Sequence, residues 1–579
     1  MKVTPRSLRR VRERLWLAMV AFQQRVHREG LIPWRHNKPV RRAVLLWVSA
    51  VLLVTSLSFI QLGNLRGYYM EQVGQPGGIY TEGIVGSITT INPILAESGA
   101  NADASRLVFS GLTRYDRQAK IEPDLAKSWT VSPDGRTYTF VLRSNATWQD
   151  GQPLTAQDVA FTISRIQSPD TRSPLASAWQ GVEVATPNEV TVVITLPVRY
   201  DAFLNSTTVG ILPQHILQDT PAAQMRVSDF NQSPIGSGPF MVDDFDTENG
   251  AVTLKANASY YRGKPKLDGM ILRVYNSQEE LLAAFQKHQV MAMARGANSK
   301  GATYGRGAAL HSLEIPEEVA LFMRTTSSLL SDVKVRQAIS LAVDRTGLID
   351  KTLHGEAEPL TVPILASRST VAAEYKVPEQ NLAQAQKLLD AAGWQTTNGS
   401  TRQKDGKSLR LELVTVNNSD YQAVSTQLAQ QLEAIGVSLN VQTYDASTLQ
   451  RNYILARNYD MLLYGINAGA DLDPYPYWHS SQAKSPGLNV SEYSSAVADK
   501  ALVSARSTND ERVREARLKS FLDAWVADAP AVMLYVPHYL YITQDEVRGV
   551  ADGKIVSAAD RFYNIQNWTI HSTSVPKIP

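Results

Sequence analysis

The chain contains no cysteine. That absence excludes disulfides, thiolate catalysis, Cys-ligated zinc and iron–sulfur clusters, and it also removes a lipid-modified cysteine as a membrane tether. Histidine is sparse: the nine residues stand at 27, 36, 215, 288, 311, 354, 479, 538 and 571, with no pair at the i, i+4 spacing of a helical metal site and no HExxH. No GxSxG nucleophile elbow occurs. The stretch PIGSGPF (Pro234–Phe240) has two glycines but lacks the lysine of a phosphate-cradling GxxxxGK[ST] loop and the third glycine of GxGxxG. Scattered carboxylates can still assemble into an acid/base pair, which spacing alone does not exclude. No catalytic, cofactor or metal residue is therefore assigned, and a binder is favoured over an enzyme.

Charge is unevenly spread. Residues 1–42 hold 12 Lys/Arg and 2 Asp/Glu, whereas the remaining chain holds 46 basic and 53 acidic groups. Between Arg42 and Arg66 lies AVLLWVSAVLLVTSLSFIQLGNL, 23 residues without a charge. As a helix rising about 1.5 Å per residue it reaches ~35 Å, enough to cross a hydrocarbon core of ~30 Å. The basic flank places the N-terminus in the cytoplasm. The rival readings are a buried core helix and a cleaved signal peptide, whose apolar stretch is usually only ~7–15 residues. The length of both the start and the run favours an uncleaved anchor over residues 43–65, leaving a mildly acidic, extracytoplasmic body. Upstream, Leu8, Val11, Leu15, Met19, Phe22 and Val26 recur at helical spacing among arginines. They suit a helix on the inner membrane surface or a partly ordered basic tail. Nucleic acid is disfavoured as a partner, because the basic charge lies on the cytoplasmic side.

Residues 66–78 read as a linker, broken by Gly and Pro. Beyond it short strands alternate with helices, which predicts an α/β body. Ser132-Pro133-Asp134-Gly135 is a tight turn, and Thr137 to Leu142 alternates with Tyr138, Phe140 and Leu142 on one face. Thr155 and Asp158 form a capping-box-like pair ahead of a helix. Leu409–Val416, Ser425–Gly436 and Val437–Tyr444 predict a strand–helix–strand parallel crossover. Ser331–Arg345 predicts one helix capped by Ser331, with Val335, Ile339 and Val343 stacked at i, i+4 and i+8. NLAQAQKLLDAAGW predicts another, ending at Gly393. There is no internal repeat and no low-complexity block.

With these segments assembled, the chain resembles the extracytoplasmic solute-binding proteins of the oligopeptide/dipeptide/nickel class (family 5), which serve ABC importers. PDLAKSW, SPDGRTYTFVLR and WQDGQPLTAQDV carry the likeness first. PIGSGPF with LKANASYYRGKPKLDGM, SDVKVRQAISLAVDR with HGEAEP, YDMLLYGINAGADLDP, and ADAPAVMLYVPHYLYIT follow in order. The resemblance implies a two-lobed, periplasmic-binding-protein-like α/β clamshell with an additional small domain in the first lobe, here preceded by the single transmembrane helix. Lobe I would comprise residues 79–118, 233–312 and 533–579, the additional domain 119–232, and lobe II 313–532.

The resemblance also implies a ligand site. Family members that bind peptides clamp an extended chain between the lobes, pairing its backbone with protein strands. The positions matching the family's binding strands are Glu97, Ser98 and Gly99 in one lobe, and Gly465, Ile466, Asn467 and Ala468 in the other. In many members a carboxylate of the second segment pairs with the peptide α-amine. This chain departs from that pattern: Ile466 or Asn467 stands where an aromatic residue is common, and Ala470 where the aspartate is. Asp471, three residues before Pro474, is the candidate amine partner or a loop-stabilising residue, and Asp473 a turn or cap residue. The expected partners are a peptide or other small solute (a sugar or metal chelate being alternatives), an ABC permease with its ATPase subunits, and the membrane, with the chain monomeric and without a cofactor. The rival functions are a membrane-anchored sensor using the same clamshell and an exported hydrolase.

Overall fold

The computed structural model describes residues 20, 42, 46–58, 61, 70–96, 99–200, 202–247, 250–295, 304, 307–396, 401–467, 473–508 and 510–576. The chain divides into two compact units, residues 1–73 with 573–579, and residues 74–572.

In the first unit residues 46–58 form a helix. Leu46, Trp47, Val48, Val51, Leu52, Leu53, Val54 and Leu57 are all exposed, and at 100° per residue they point to every side of it. The Thr55 hydroxyl donates back to the Val51 and Leu52 carbonyl oxygens, which satisfies it without water. Among the described residues no helix is long and apolar enough to cross a membrane. Of the span expected over 43–65, residues 43–45, 59–60 and 62–65 lie outside the described residues, as do Leu8, Val11, Leu15, Met19, Phe22 and Val26.

The second unit opens with strand β1 (Ile79–Val85) and helix α1 (Gly99–Val108). A separate antiparallel sheet follows, built from β2 (Ala126–Val131), β3 (Thr137–Leu142), β4 (Glu183–Asn188) and β5 (Thr191–Thr195) in the order β2-β3-β5-β4. Helix α2 (Ala156–Gln167) lies between β3 and β4 in sequence. The alternation expected in β3 is observed, with Tyr138, Phe140 and Leu142 buried. Gly135 N–H donates to the Ser132 carbonyl at 2.9 Å, closing the expected turn. Thr155 and Asp158 form the expected capping box on α2. The Asp158 carboxylate accepts the Thr155 N–H at 2.8 Å and also the Gln214 N–H at 2.8 Å, tying the cap to a second segment.

The chain then lays down β6 (Phe240–Asp246), β7 (Ala251–Ala256), β8 (Gly269–Tyr275) and β9 (Ala292–Arg295). Strand β10 (Ala309–Glu314) runs into β11 (Glu317–Met323) with only Ile315-Pro316 between them. Helices α3 (Val333–Ala342) and α4 (Arg345–Thr352), strand β12 (Ala357–Pro359) and helix α5 (Leu382–Ala391) follow. Strand β13 (Arg410–Val416), helix α6 (Ser419–Glu433) and strand β14 (Ser438–Tyr444) lead to β15 (Met461–Asn467) and the long strand β16 (Ala531–Thr543). These strands share one twelve-stranded sheet, ordered β14-β13-β15-β11-β16-β9-β1-β8-β7-β6, with β10 and β12 also on β16. As expected, β13 and β14 are parallel.

Two expectations need correction. The stretch 331–345 is not one helix: Asp332, not Ser331, caps α3 by accepting the Lys334 N–H at 2.9 Å. Val343 is extended, and Asp344 caps the separate α4. The helix expected from Ser425 begins earlier, because the Asn418 side chain accepts the N–H groups of Asp420 and Tyr421.

Strand β16 joins two halves. Ala531–Tyr535 pairs with β11 and Tyr535–Pro537 with β12, while His538–Thr543 pairs with β10 and Leu540–Thr543 with β9. One apolar core, including Trp148, Trp179, Phe240 and Trp568, serves the first half and the small sheet. Two further cores cover opposite faces of the second half: Val319, Leu321 and Met323 enter one, Ala320 and Phe322 the other. The crossings Ile315-Pro316 and Val536-Pro537 connect the halves, and each carries a proline that has no N–H to donate to the ladder.

Candidate functional site

The end of β15 carries three of the expected ligand positions. Gly465, Ile466 and Asn467 are its last residues, opposite Val319, Glu318 and Glu317 of β11 in antiparallel register. Gly99 opens α1 and is exposed. Glu97, Ser98, Ala468 and Asp471 lie outside the described residues. The Asn467 amide donates to the Val556 carbonyl at 3.1 Å, so the tip of β15 reaches the segment that follows β16. Ser557, next in sequence, borders a cavity of about 190 Å³ with Pro93, Ala96, Arg106, Trp179 and Asn205. Asn467 therefore reaches Val556, and the next residue, Ser557, shares a cavity wall with Pro93 and Ala96 ahead of α1. Within the cavity wall Arg106 is paired with Asp560 at 3.0 Å.

Gly465 has a specific reason to be glycine. A Cβ there would stand 2.3 Å from Glu317 Oε1 and 2.6 Å from Tyr421 Oη. The Tyr421 hydroxyl donates to that carboxyl at 3.4 Å, and burial pushes Glu317 above the usual carboxylate range. The same holds for PIGSGPF, where a Cβ on Gly236 would fall 2.0 Å from the Val108 carbonyl oxygen. These glycines let the chain lie against the end of α1; they serve packing, not phosphate.

Glu318 faces the other side of the sheet, with Ala320, Tyr464 and Ile466. It is 3% exposed. Beside it, the Tyr477 hydroxyl donates to the Asn467 carbonyl at 3.2 Å, and burial together with Glu318 and Asp473 raises that phenol. Tyr444 and Tyr453 stack at 4.2 Å with their hydroxyls 2.6 Å apart, adding half-buried aromatic surface to this core. Asp473 acts as a turn residue: it accepts the Tyr475 N–H at 3.1 Å and pairs with Arg506 at 2.9 Å.

In the first half the start of α1 is pinned by a saturated ion network. Arg561, 3% exposed, donates to both Asp103 oxygens at 2.8 Å and to Glu82 at 2.9 Å. The Tyr80 and Tyr541 hydroxyls donate to the remaining Glu82 oxygen. Burial, reinforced by the Glu82 charge, holds both phenols well above their usual range, so they stay protonated donors. Among the described residues no group of three His, Cys, Asp or Glu side chains is arranged to hold a metal.

Sequence reasoning overlooked Glu317 and Glu318. The signal was present in EEVALFM: an apolar run without alternation is buried on both faces, so two adjacent glutamates at its start must enter the interior on opposite sides.

The chain matches the family described as bacterial extracellular solute-binding proteins, family 5 Middle, over residues 120–489. It is 27% identical over 547 residues to the oligopeptide-binding protein AppA of Bacillus subtilis, covering 91% of this chain and 99% of that protein. Among solved structures, NikZ from Campylobacter jejuni in complex with Ni(L-His) superposes with a TM-score of 0.74 at 27% identity, covering 85% of this chain and 99% of NikZ. AppA of B. subtilis in complex with a nonapeptide gives 0.72 at 27% identity, covering 86% and 99%.

Proposed function

The chain belongs to the bacterial extracellular solute-binding proteins of family 5, and from that membership we propose that it captures peptides between its lobes and delivers them to an ABC permease and its ATPase subunits. The similarity to AppA, solved with a nonapeptide, supports a peptide as the solute. The observation that carries the reading is the tip of β15: Gly465, Ile466 and Asn467 end a strand whose last side chain reaches Val556 across from the second half. A peptide laid along that tip would gain main-chain hydrogen bonds, and Glu97, Ser98, Gly99 and Ala468 are proposed as its further contacts. Asp471 is proposed as the partner of the peptide amine. Contacts made to both lobes at once favour the closed form of a pre-existing open/closed equilibrium. The crossings at Ile315-Pro316 and Val536-Pro537 supply the hinge between lobe I, with its additional domain at 119–232, and lobe II.

The chain acts as a monomer, held at the membrane by residues 43–65 with its N-terminus cytoplasmic and its body outside. The exposed apolar side chains on every side of helix 46–58 and the basic flank support that placement. Native mass spectrometry of the full chain, extracted from membranes in detergent, tests the function: co-purified peptides of unaltered sequence are expected. Recovery of hydrolysed products, or of no peptide even after peptide is supplied, overturns it. A metal chelate is the second reading, favoured by the likeness to NikZ with its Ni(L-His), and the same spectra distinguish it by mass.

A further inference from the structure

We propose that Glu318 is the acceptor for a cationic group of the captured solute, an ammonium or a guanidinium. This rests on the peptide-capture reading and adds to it a charge preference that does not depend on Asp471.

Glu318 is 3% exposed and stands on β11 directly opposite Ile466, within the expected ligand strand. No described residue donates a hydrogen bond to it. A buried polar group is nearly always satisfied, because losing water without a replacement partner is costly. The chain solves the same problem fully at Glu82, which receives Arg561, Tyr80 and Tyr541. At Glu318 no described residue supplies the donor, and a solute laid against Ile466 would.

The surrounding charges agree. Arg368 acts electrostatically on Glu318, Glu318 and Asp473 both act on Tyr477, and Asp473 is already bound to Arg506. Glu317 faces the opposite side of the sheet. Burial pushes the Glu318 carboxyl up to about 8, with Arg368 opposing the shift. Near pH 7 the ligand-free group therefore holds its proton. An arriving cation shifts it to the carboxylate: the O–H bond breaks, the proton leaves to solvent, and the freed oxygen accepts the N–H of the solute. A neutral amide offers no such charge and gains little from the exchange.

The test is calorimetry on the full-length chain in detergent with four peptides: Ala-Ala-Arg-Ala, its citrulline counterpart, and the N-acetylated form of each. In buffers of different ionisation enthalpy, the cationic peptides are expected to release close to one proton each near pH 7. Their affinity should rise about tenfold per pH unit below pH 8 and level off above it. Glu318→Gln should abolish the proton release and weaken the cationic peptides by roughly tenfold or more. Dependence on arginine against citrulline assigns the side chain as the source, and dependence on the free against the acetylated terminus assigns the α-amine. Unchanged proton release in Glu318→Gln, or four affinities within about twofold of the unmutated chain, overturns the inference while leaving peptide capture standing. Failure of all four peptides to bind the unmutated chain overturns the capture reading, and this inference with it.

Discussion

Glu82 and Glu318 are the same residue type at nearly the same burial, 0% and 3% exposed, in the two halves of one sheet. Glu82 receives a guanidinium and two phenols; Glu318 accepts no hydrogen bond from any described residue and feels only the charge of Arg368. Burial by itself therefore does not say what a carboxyl is for. A saturated one fixes architecture, here the start of α1 through Asp103 and the shared Arg561. One that accepts no hydrogen bond from a described residue, beside a strand tip, is where we propose that a solute cation arrives.

The comparison can be broken hardest at its saturated member. Arg561→Leu leaves Glu82 and Asp103 buried without their cation, and removing one partner of such a cluster costs about 3–5 kcal/mol. Urea unfolding of the full chain should show that loss, and an unchanged midpoint would mean that α1 is held by packing alone. At Glu318 the sign reverses. The folded carboxyl titrates at about 8 against an ordinary 4.5. Between those values the unfolded chain gives up a proton that the folded chain keeps, so stability falls as pH rises and levels off above 8. Glu318→Gln escapes that loss: it should match the unmutated ligand-free chain at pH 4.5 and exceed it by roughly 4 kcal/mol at pH 9. Parallel stability curves across that window would remove the basis for treating the two glutamates differently.

Gly465→Ala ranks next. The new methyl would overlap the Glu317 carboxyl and the Tyr421 hydroxyl, and relief by side-chain movement costs about 1–3 kcal/mol. The expected result is a lower unfolding midpoint with a larger proportional loss in peptide affinity, because the strand tip itself must shift. Equal losses in both would mean that the tip does not touch the solute.

Much of the fold was legible because it is local. The turn at Ser132–Gly135, the alternation of β3, the capping box of α2 and the β13–α6–β14 crossover all depend on residues within a few turns of one another. The single helix expected over 331–345 fails because Ser331 and Asp332 are both able to cap, and because the extended Val343 and the capping Asp344 end one helix and start another. The positions on β15 were reached through resemblance, and the structure supplies the physical reason for Gly465. What no local pattern could give is pairing across distance. Arg561 meets Glu82 from 479 residues away, and the register of Glu318 against Ile466 is set by the whole sheet, not by either strand.

The smallest effect sharpens the comparison from the outside. Lys255 and Asp243 lie 3.0 Å apart, about as close as Arg561 and Glu82, yet both side chains are about half exposed. Water already solvates each charge, and salt screens what attraction remains, so Lys255→Ala should change stability by less than about 0.5 kcal/mol. A tenfold disparity against Arg561→Leu at almost equal distance would locate the energetic difference in desolvation: a buried charge that loses its partner has no water to return to. Were Lys255→Ala to cost as much as Arg561→Leu, distance would be the governing variable, and the lack of a donor at Glu318 would lose its meaning.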